Sequence, residues 1–168
     1  VKSNFGLTSD RQLLVALHEV TSGLPFEEII FDEYQRVTPA EAQLLYMDVC
    51  TMNRLNVPVR AGLISRISGI SIEDFRNKFI SPLEHLVKIY MDQRSRDYVY
   101  VARHPLIADF VFDHANANPR EKAAQLIRVI SKMNIDYVAD EEAFSSIIKG
   151  KTLASLFSDK QLAKNIYD

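Results

Sequence analysis

The sequence has little cysteine, no long apolar run and no secretory signal. A single cysteine, Cys50, among 168 residues excludes an internal disulfide and fits a reducing compartment. No apolar stretch approaches the roughly 18 to 20 residues that a membrane-spanning helix needs. The N-terminal residues lack the pattern of a secretory signal peptide. We therefore expect a cytoplasmic protein without a membrane partner.

The sequence also lacks the motifs of common catalytic and metal sites. Its five glycines never form the G-x-x-x-x-G-K-[ST] loop that cradles nucleotide phosphates, and no nucleophile elbow is present. The four histidines and Cys50 have no spacing that brings several metal ligands together. We predict that the chain has no catalytic residue, no metal site and no cofactor of its own, and that Cys50 is a buried apolar residue.

Size and charge are those of an ordinary soluble domain. The 20 Lys and Arg residues nearly balance the 22 Asp and Glu residues, so the net charge of −2 gives no global attraction to nucleic acid. A chain of this length forms one domain, or one domain with helical extensions. The chain begins with Val1 rather than Met, which leaves open that it is a piece of a longer protein.

Capping signals and apolar spacing divide the chain into predicted helices. A capping box at Ser9 predicts the start of a first helix that ends near Gly23, and a second helix starts near Pro25. A third starts at the Thr38-Pro39-Ala40-Glu41 signal and is closed by Pro58. The remaining predicted helices begin at Arg60, Ser71, Pro105, Asn118, Asp140 and Asp159.

The residue pattern changes between Val87 and Val101. Two runs rich in β-branched and aromatic residues flank a polar segment, which predicts a two-stranded hairpin with its loop near Asp92–Asp97. From Thr38 the order is helix, short helix, helix, hairpin, which is the order of a winged helix. We therefore predict a mainly α fold with a winged-helix domain at 38–115, an N-terminal helical segment at 1–37 and a C-terminal helical extension at 116–168.

Nucleic-acid binding is one function open to a winged helix. The helix from Ser71 would be the recognition helix. Acidic residues on that helix and around the hairpin loop nearly cancel the positive charge of these two segments. DNA affinity depends on neutralising several phosphates at once. DNA binding is therefore the less favoured interpretation. The candidate contacts to phosphates or bases are Arg76, Asn77, Lys78, Arg94 and Arg96.

A short motif, Arg103-His104-Pro105, follows the predicted hairpin directly. His104 falls at the cap position of the helix that Pro105 opens. An imidazole beside the amides of a helix N-terminus suits a phosphate ligand. The alternative is that His104 only caps the helix and that Arg103 is solvated, and spacing alone favours this alternative.

Five further segments of the sequence carry a family resemblance: Phe26–Tyr34, Leu44–Tyr46, Ile70–Phe75, Arg103–Ala108 and Ala143–Asp159. They resemble the region that follows the ATPase core in bacterial STAND NTPases (signal-transduction ATPases with numerous domains). The resemblance covers most of the chain, and residues 1–37 are similar to the end of the ATPase lid region.

The resemblance implies a role for His104. In related STAND proteins a Met-His-Asp motif follows the winged helix, and its histidine contacts the phosphate of bound ADP. Here Arg103 stands in the place of Met and Pro105 in the place of Asp. The resemblance implies that His104 senses a nucleotide, and Arg103 would add a second phosphate contact.

Three functions remain open from the sequence. The resemblance favours a non-catalytic regulatory module that packs on the ATP- or ADP-binding core and the sensor domains of its parent protein, acts in signalling or antiviral defence, and can form a homo-oligomer. The second is a DNA-binding regulator, acting as a dimer on two half-sites. The third is a structural adaptor whose C-terminal helices dock a partner protein.

Overall fold

The computed structural model describes residues 4–71, 73–116, 118–149, 152–153 and 157, with side chains from Gln12 onward except that of His18. The fold is mainly helical with a small antiparallel sheet of three strands. The mainly α class predicted from the sequence is therefore confirmed. The chain divides into two compact units, residues 1–36 and residues 37–168.

The first unit is a pair of helices, α1 (Asn4–Ser22) and α2 (Phe26–Gln35). Gly23 follows α1 with a positive φ of 70°, and its N–H donates to the Glu19 carbonyl at 2.8 Å. The predicted glycine terminus is confirmed, since a residue without a Cβ adopts this conformation without steric cost. The predicted start at Ser9 is wrong, because residues 4–8 already belong to the helix and Ser9 lies inside it.

Within its described residues, the second unit contains five helices, two short helical turns and three strands. Its elements in chain order are α3 (Ala40–Asn53), β1 (Val59–Arg60), α4 (Ala61–Ser68), a π-helical turn (Arg76–Ile80), a 3₁₀ turn (Ser81–Leu83), β2 (Val87–Asp92), β3 (Asp97–Ala102), α5 (Pro105–Ala115), α6 (Pro119–Ile130) and α7 (Val138–Ile147).

Helix α3 lies at the centre of this unit. Every residue from Leu45 to Asn53 is buried, because α3 packs against α5, α6 and β3 on different sides. Cys50 is fully buried in this stretch, as predicted. The helix ends at Asn53, five residues before the predicted stop at Pro58, and the Asn53 side chain donates to the Val57 carbonyl and accepts from the Ala102 N–H.

The predicted hairpin is confirmed. Strands β2 and β3 pair antiparallel from Val87 opposite Ala102 to Asp92 opposite Asp97, and the connecting turn lies where it was predicted. Strand β1 was not predicted, since two residues are too short to show a pattern. It pairs with β3, with Val59 opposite Tyr100, so the sheet order is β1-β3-β2.

The segment from Ser71 forms helical turns rather than the predicted regular helix. Ser71 accepts a hydrogen bond from the Asp74 N–H at 3.2 Å, as the capping signal implies. The Ser81 N–H then donates to the carbonyl of Arg76, five residues earlier, and a 3₁₀ turn carrying Pro82 follows. Proline cannot donate to the carbonyl four residues before it, so the chain restarts at this point, as the sequence predicted.

The C-terminal part of the second unit is helical. Asn118 caps α6, because its Oδ1 accepts from the N–H groups of Arg120 and Glu121 at 3.0 Å each. Helix α7 covers Val138–Ile147, close to the predicted helix at 140–149, and the helix predicted from Asp159 lies outside the described residues. Within the described ranges, no helix has the length and apolar character needed to cross a membrane.

Candidate functional site

His104 lies between the sheet and α5, at the N-cap position of that helix. Its backbone is extended, and its Nδ1 accepts a hydrogen bond from the Leu106 N–H at 3.0 Å. Pro105 occupies the first turn, where a missing N–H costs nothing. The predicted capping role of His104 is thus confirmed.

The cap determines which ring nitrogen of His104 carries the proton. Because Nδ1 accepts a hydrogen bond, the neutral ring has its hydrogen on Nε2. Nε2–H is a donor of the kind that a phosphate oxygen accepts, and it belongs to a residue at a positive helix end. Both His104 and the adjacent Arg103 are partly exposed. A phosphate contact by His104 and Arg103 stays a prediction.

The five candidate nucleic-acid contacts occupy two separate places. Arg76, Asn77 and Lys78 are exposed on the π-helical turn, and Arg94 and Arg96 are exposed in the turn between β2 and β3. All five are accessible to solvent, so their exposure alone does not exclude contact with a polyanion.

Two of these cations already have acidic partners. Lys78 Nζ lies 2.9 Å from the Asp74 carboxylate, and this contact lowers the pKa of Asp74. Arg94 Nη2 lies 2.9 Å from Glu142 Oε1 of α7. Exposed pairs of this kind contribute little to stability, but each offsets charge that would otherwise meet a phosphate.

An apolar patch extends along one face of the hairpin. Tyr100 of β3 packs its ring against Phe75 and Phe79, with centroids 5.6 and 4.9 Å apart. Ile89 pairs with Tyr100 and therefore lies on the same face of the sheet. Toward the turn this face continues as the hairpin patch, whose side chains are 43% to 53% exposed: Ile89, Met91 and Tyr98. Exposed apolar surface of this kind suits a protein contact better than a DNA backbone.

Asp140, in the first turn of α7, is a buried acceptor. It is 2% exposed, and its Oδ1 accepts from Nε and Nη2 of Arg60 at 3.2 and 3.1 Å. Its Oδ2 accepts from Arg66 Nη2 and from the Asn134 N–H. Tyr137 covers the group, with its ring centroid 4.7 Å from the Arg60 guanidinium. Only a helix-start signal is visible in the sequence at this position, because the arginine partners of Asp140 lie 74 and 80 positions away.

Asp48 is a second buried carboxylate that sequence reasoning missed. It lies on α3 with no exposed surface and accepts hydrogen bonds from Arg128 and Gln125 of α6. Burial raises the pKa of Asp48, and the two donors offset that effect in part. The hydrogen bond to Asp48 in turn raises the pKa of Arg128. The two residues join α3 to α6, which is a structural role.

Neither metal nor thiol chemistry has support in the described residues. No group of three or more His, Cys, Asp or Glu side chains in the described ranges is arranged to hold a metal ion. Burial raises the pKa of the Cys50 thiol far above its usual range, so this thiol stays protonated and unreactive.

Comparison with known proteins does not assign the chain to a family. No protein-family model, no curated protein and no solved structure matches it. The case for a function therefore depends on the sequence resemblance and on the geometry around His104.

Proposed function

We propose that this chain is a non-catalytic regulatory module, built on a winged helix, of a larger STAND-type ATPase. The module packs on an ATP- or ADP-binding core of the same parent protein and senses the nucleotide through His104. The observation that carries the proposal is the position of His104, which caps α5 directly after the sheet and whose Nδ1 accepts from the Leu106 N–H.

The arrangement of residues 40–102 supports the winged-helix interpretation. Helix α3, the short helix α4, the helical turns at 76–83 and the β2–β3 hairpin follow one another in the winged-helix order. Strand β1 pairs with β3, so a third strand joins the hairpin. His104 comes directly after this sheet, in the place where the STAND resemblance expects its sensing histidine.

The hairpin patch supports packing on a protein. Burial of Ile89, Met91 and Tyr98 against another domain would stabilise the contact, whereas a DNA backbone would leave these side chains exposed to water. A regulatory module must contact the active and resting states of its partner differently. In the proposed resting state His104 donates to a phosphate oxygen of ADP, and the module moves away when a sensor domain meets its trigger. The role in signalling or antiviral defence follows from the resemblance.

Two substitutions of His104 test the proposal in the protein that carries the ATPase core. His104→Asn retains a cap acceptor but removes the imidazole, and His104→Ala removes both. If His104 senses nucleotide, both variants release ADP faster than the wild type and lose autoinhibition. If His104 only caps α5, the Asn variant retains ADP as the wild type does and only the Ala variant loses stability. Retention of ADP by both variants would exclude the sensing role.

DNA binding is the second candidate, favoured by the exposed side chains of Arg76, Asn77 and Arg96. Titration of the chain into duplex DNA at low and at moderate salt tests this function. Non-specific phosphate contacts strengthen as salt falls, so a DNA-binding chain should bind at low salt at least. Absence of binding at low salt would exclude this function.

A further inference from the structure

We propose that residues 132–147, here called the clasp, open as one unit from the rest of the second unit while its central helices stay folded. The clasp consists of a loop at 132–137 followed by α7. It contacts Arg60 of β1 and Arg66 of α4, and it faces Tyr90 and Val99 of the hairpin. The inference concerns the motion of this segment and does not depend on nucleotide sensing by His104.

One charged group supplies the buried polar attachment between the clasp and its neighbours, and α7 also buries Ala143 and Ile147. The Asp140 carboxylate joins Arg60 of β1 to Arg66 of α4, and it also accepts from the clasp's own Asn134 N–H. Arg66 Nε donates in addition to the Lys132 carbonyl at 2.8 Å. The same two arginines therefore hold the loop and α7 together, so both should leave when these bonds break.

A second polar contact ties the clasp to the hairpin turn. Glu142 pairs with Arg94 across solvent, with exposed fractions of 57% and 80% for the two side chains. Such an exposed pair adds little free energy. The link between the clasp and the hairpin is therefore weak compared with the group around Asp140.

Packing between the clasp and the hairpin is incomplete. A cavity of about 460 Å³ lies between them, lined by Tyr90 and Val99 on the hairpin and by Val138 and Ala143 on α7. Val138 remains 66% exposed beside it. Helix α7 buries one large apolar side chain, Ile147, together with Ala143. Helix α5 buries three large ones, Ile107, Val111 and Phe112, in the core that it shares with α3. A contact that depends on polar groups and encloses a cavity opens more easily than a close-packed apolar contact.

Opening of the clasp would change the surface of the second unit. The side chain of Arg60 is only 12% exposed while Asp140 pairs with it. When the clasp is open, Arg60, Arg66 and Arg94 lose their partners on α7. The hairpin face that carries Tyr90 and Val99 also becomes more accessible. The clasp thus controls access to the Arg60 guanidinium and the pairing of Arg66 and Arg94, without any change in α3 or α5.

Native-state hydrogen exchange of the whole chain in rising urea tests the proposal. The amides of α7 should share an opening free energy below that of the α3 amides and a smaller dependence on urea, because opening of the clasp exposes less surface than global unfolding. If α7 and α3 exchange with the same free energy and the same urea dependence, the clasp opens only when everything unfolds and the proposal is wrong. This measurement needs no variant, so it decides the question even if a substitution prevents folding.

A pair of matched variants identifies the group that holds the clasp closed. Asp140→Asn should increase exchange of the α7 amides by about tenfold or more while leaving the α3 amides nearly unchanged. Asp48→Asn alters the other buried carboxylate, which lies in the core, and should accelerate α3 and α7 together. Equal acceleration of α3 and α7 in Asp140→Asn would show that Asp140 stabilises the whole fold, and would overturn the proposal.

Discussion

The carboxylate of Asp48 accepts two hydrogen bonds from Arg128, one from Nε and one from Nη2, at 3.1 Å each and across 80 positions of sequence. Asp48 is fully buried, whereas the side chain of Arg128 is 38% exposed. The pair brings a negative charge into the core and places its counter-charge at the edge. Removal of Arg128 therefore has different consequences from removal of Asp48.

Replacement of Arg128 by Met should destabilise the chain by about 2 to 3 kcal/mol, because Asp48 would remain buried without its counter-charge. The estimate is at the low end for buried pairs because Arg128 is partly exposed. Urea unfolding followed by circular dichroism measures the change. Arg120→Met, the same substitution at an exposed position of α6, should change stability by less than about 0.5 kcal/mol. Equal effects of the two substitutions would contradict the role of the pair.

The stability contributed by Asp48 should depend on pH. Because burial raises its pKa above the ordinary 3.8, the folded chain binds a proton at this carboxylate more tightly than the unfolded chain. The contribution is therefore greatest below pH 3.8 and falls as pH rises through the raised pKa. Relative to Asp48→Asn, the wild type should lose stability as pH rises above about 4.

Parallel urea titrations of the wild type and Asp48→Asn across that range check the pH dependence. The difference between the two proteins cancels the effect of the other titrating groups. A wild type that gains stability over the variant as pH rises would mean that Arg128 outweighs burial and that the pKa of Asp48 is lowered.

The Asn118 cap of α6 should contribute about 1 kcal/mol to the free energy of unfolding. Asn118→Ala removes the Oδ1 atom that accepts from the Arg120 and Glu121 N–H groups. Asn118→Asp retains an acceptor at this position and should leave stability nearly unchanged. Thermal and urea unfolding of the two variants provide the measurement, and a stability loss of the same size in both would argue that the amide group has another role.

Phe79 and Tyr98 should respond differently to truncation. Phe79 is 1% exposed and meets the Tyr100 ring edge-on with centroids 4.9 Å apart, so Phe79→Ala should cost about 3 to 4 kcal/mol. Tyr98, in the hairpin patch, is 53% exposed, and Tyr98→Ala should cost less than about 1 kcal/mol. Urea midpoints of both variants test the assignment, and a large loss for Tyr98→Ala would mean that the patch is covered in solution.

Local signals explain what the sequence could predict. The hairpin, the proline restart at Pro82, and the caps at His104 and Asn118 all depend on residues within a few positions of one another, and the structure has each of them. Strand β1 could not be predicted, because two residues become a strand only when β3 is beside them.

The buried carboxylates show why the rest of the site was missed. Asp48 lies within an apolar stripe, and Asp140 lies in a run of acidic residues at a helix start. Neither position predicts burial, since the arginines that satisfy the two groups are brought near only by the tertiary fold. The π-helical turn at 76–80 was likewise not predicted, since the capping signal at Ser71 indicates a regular helix.

The complete burial of α3 has a consequence for how this sequence can diverge. A helix at a surface has one side on which almost any polar residue is accepted, but the nine residues from Leu45 to Asn53 have no such side. An accepted substitution there must preserve side-chain volume and must leave the buried polar groups with their partners. Sequence drift should therefore concentrate in the hairpin turn and the exposed faces of α1 and α6. The stretch Leu-Tyr-Met-Asp-Val-Cys-Thr-Met-Asn is therefore where distant relatives of this protein should remain recognisable longest.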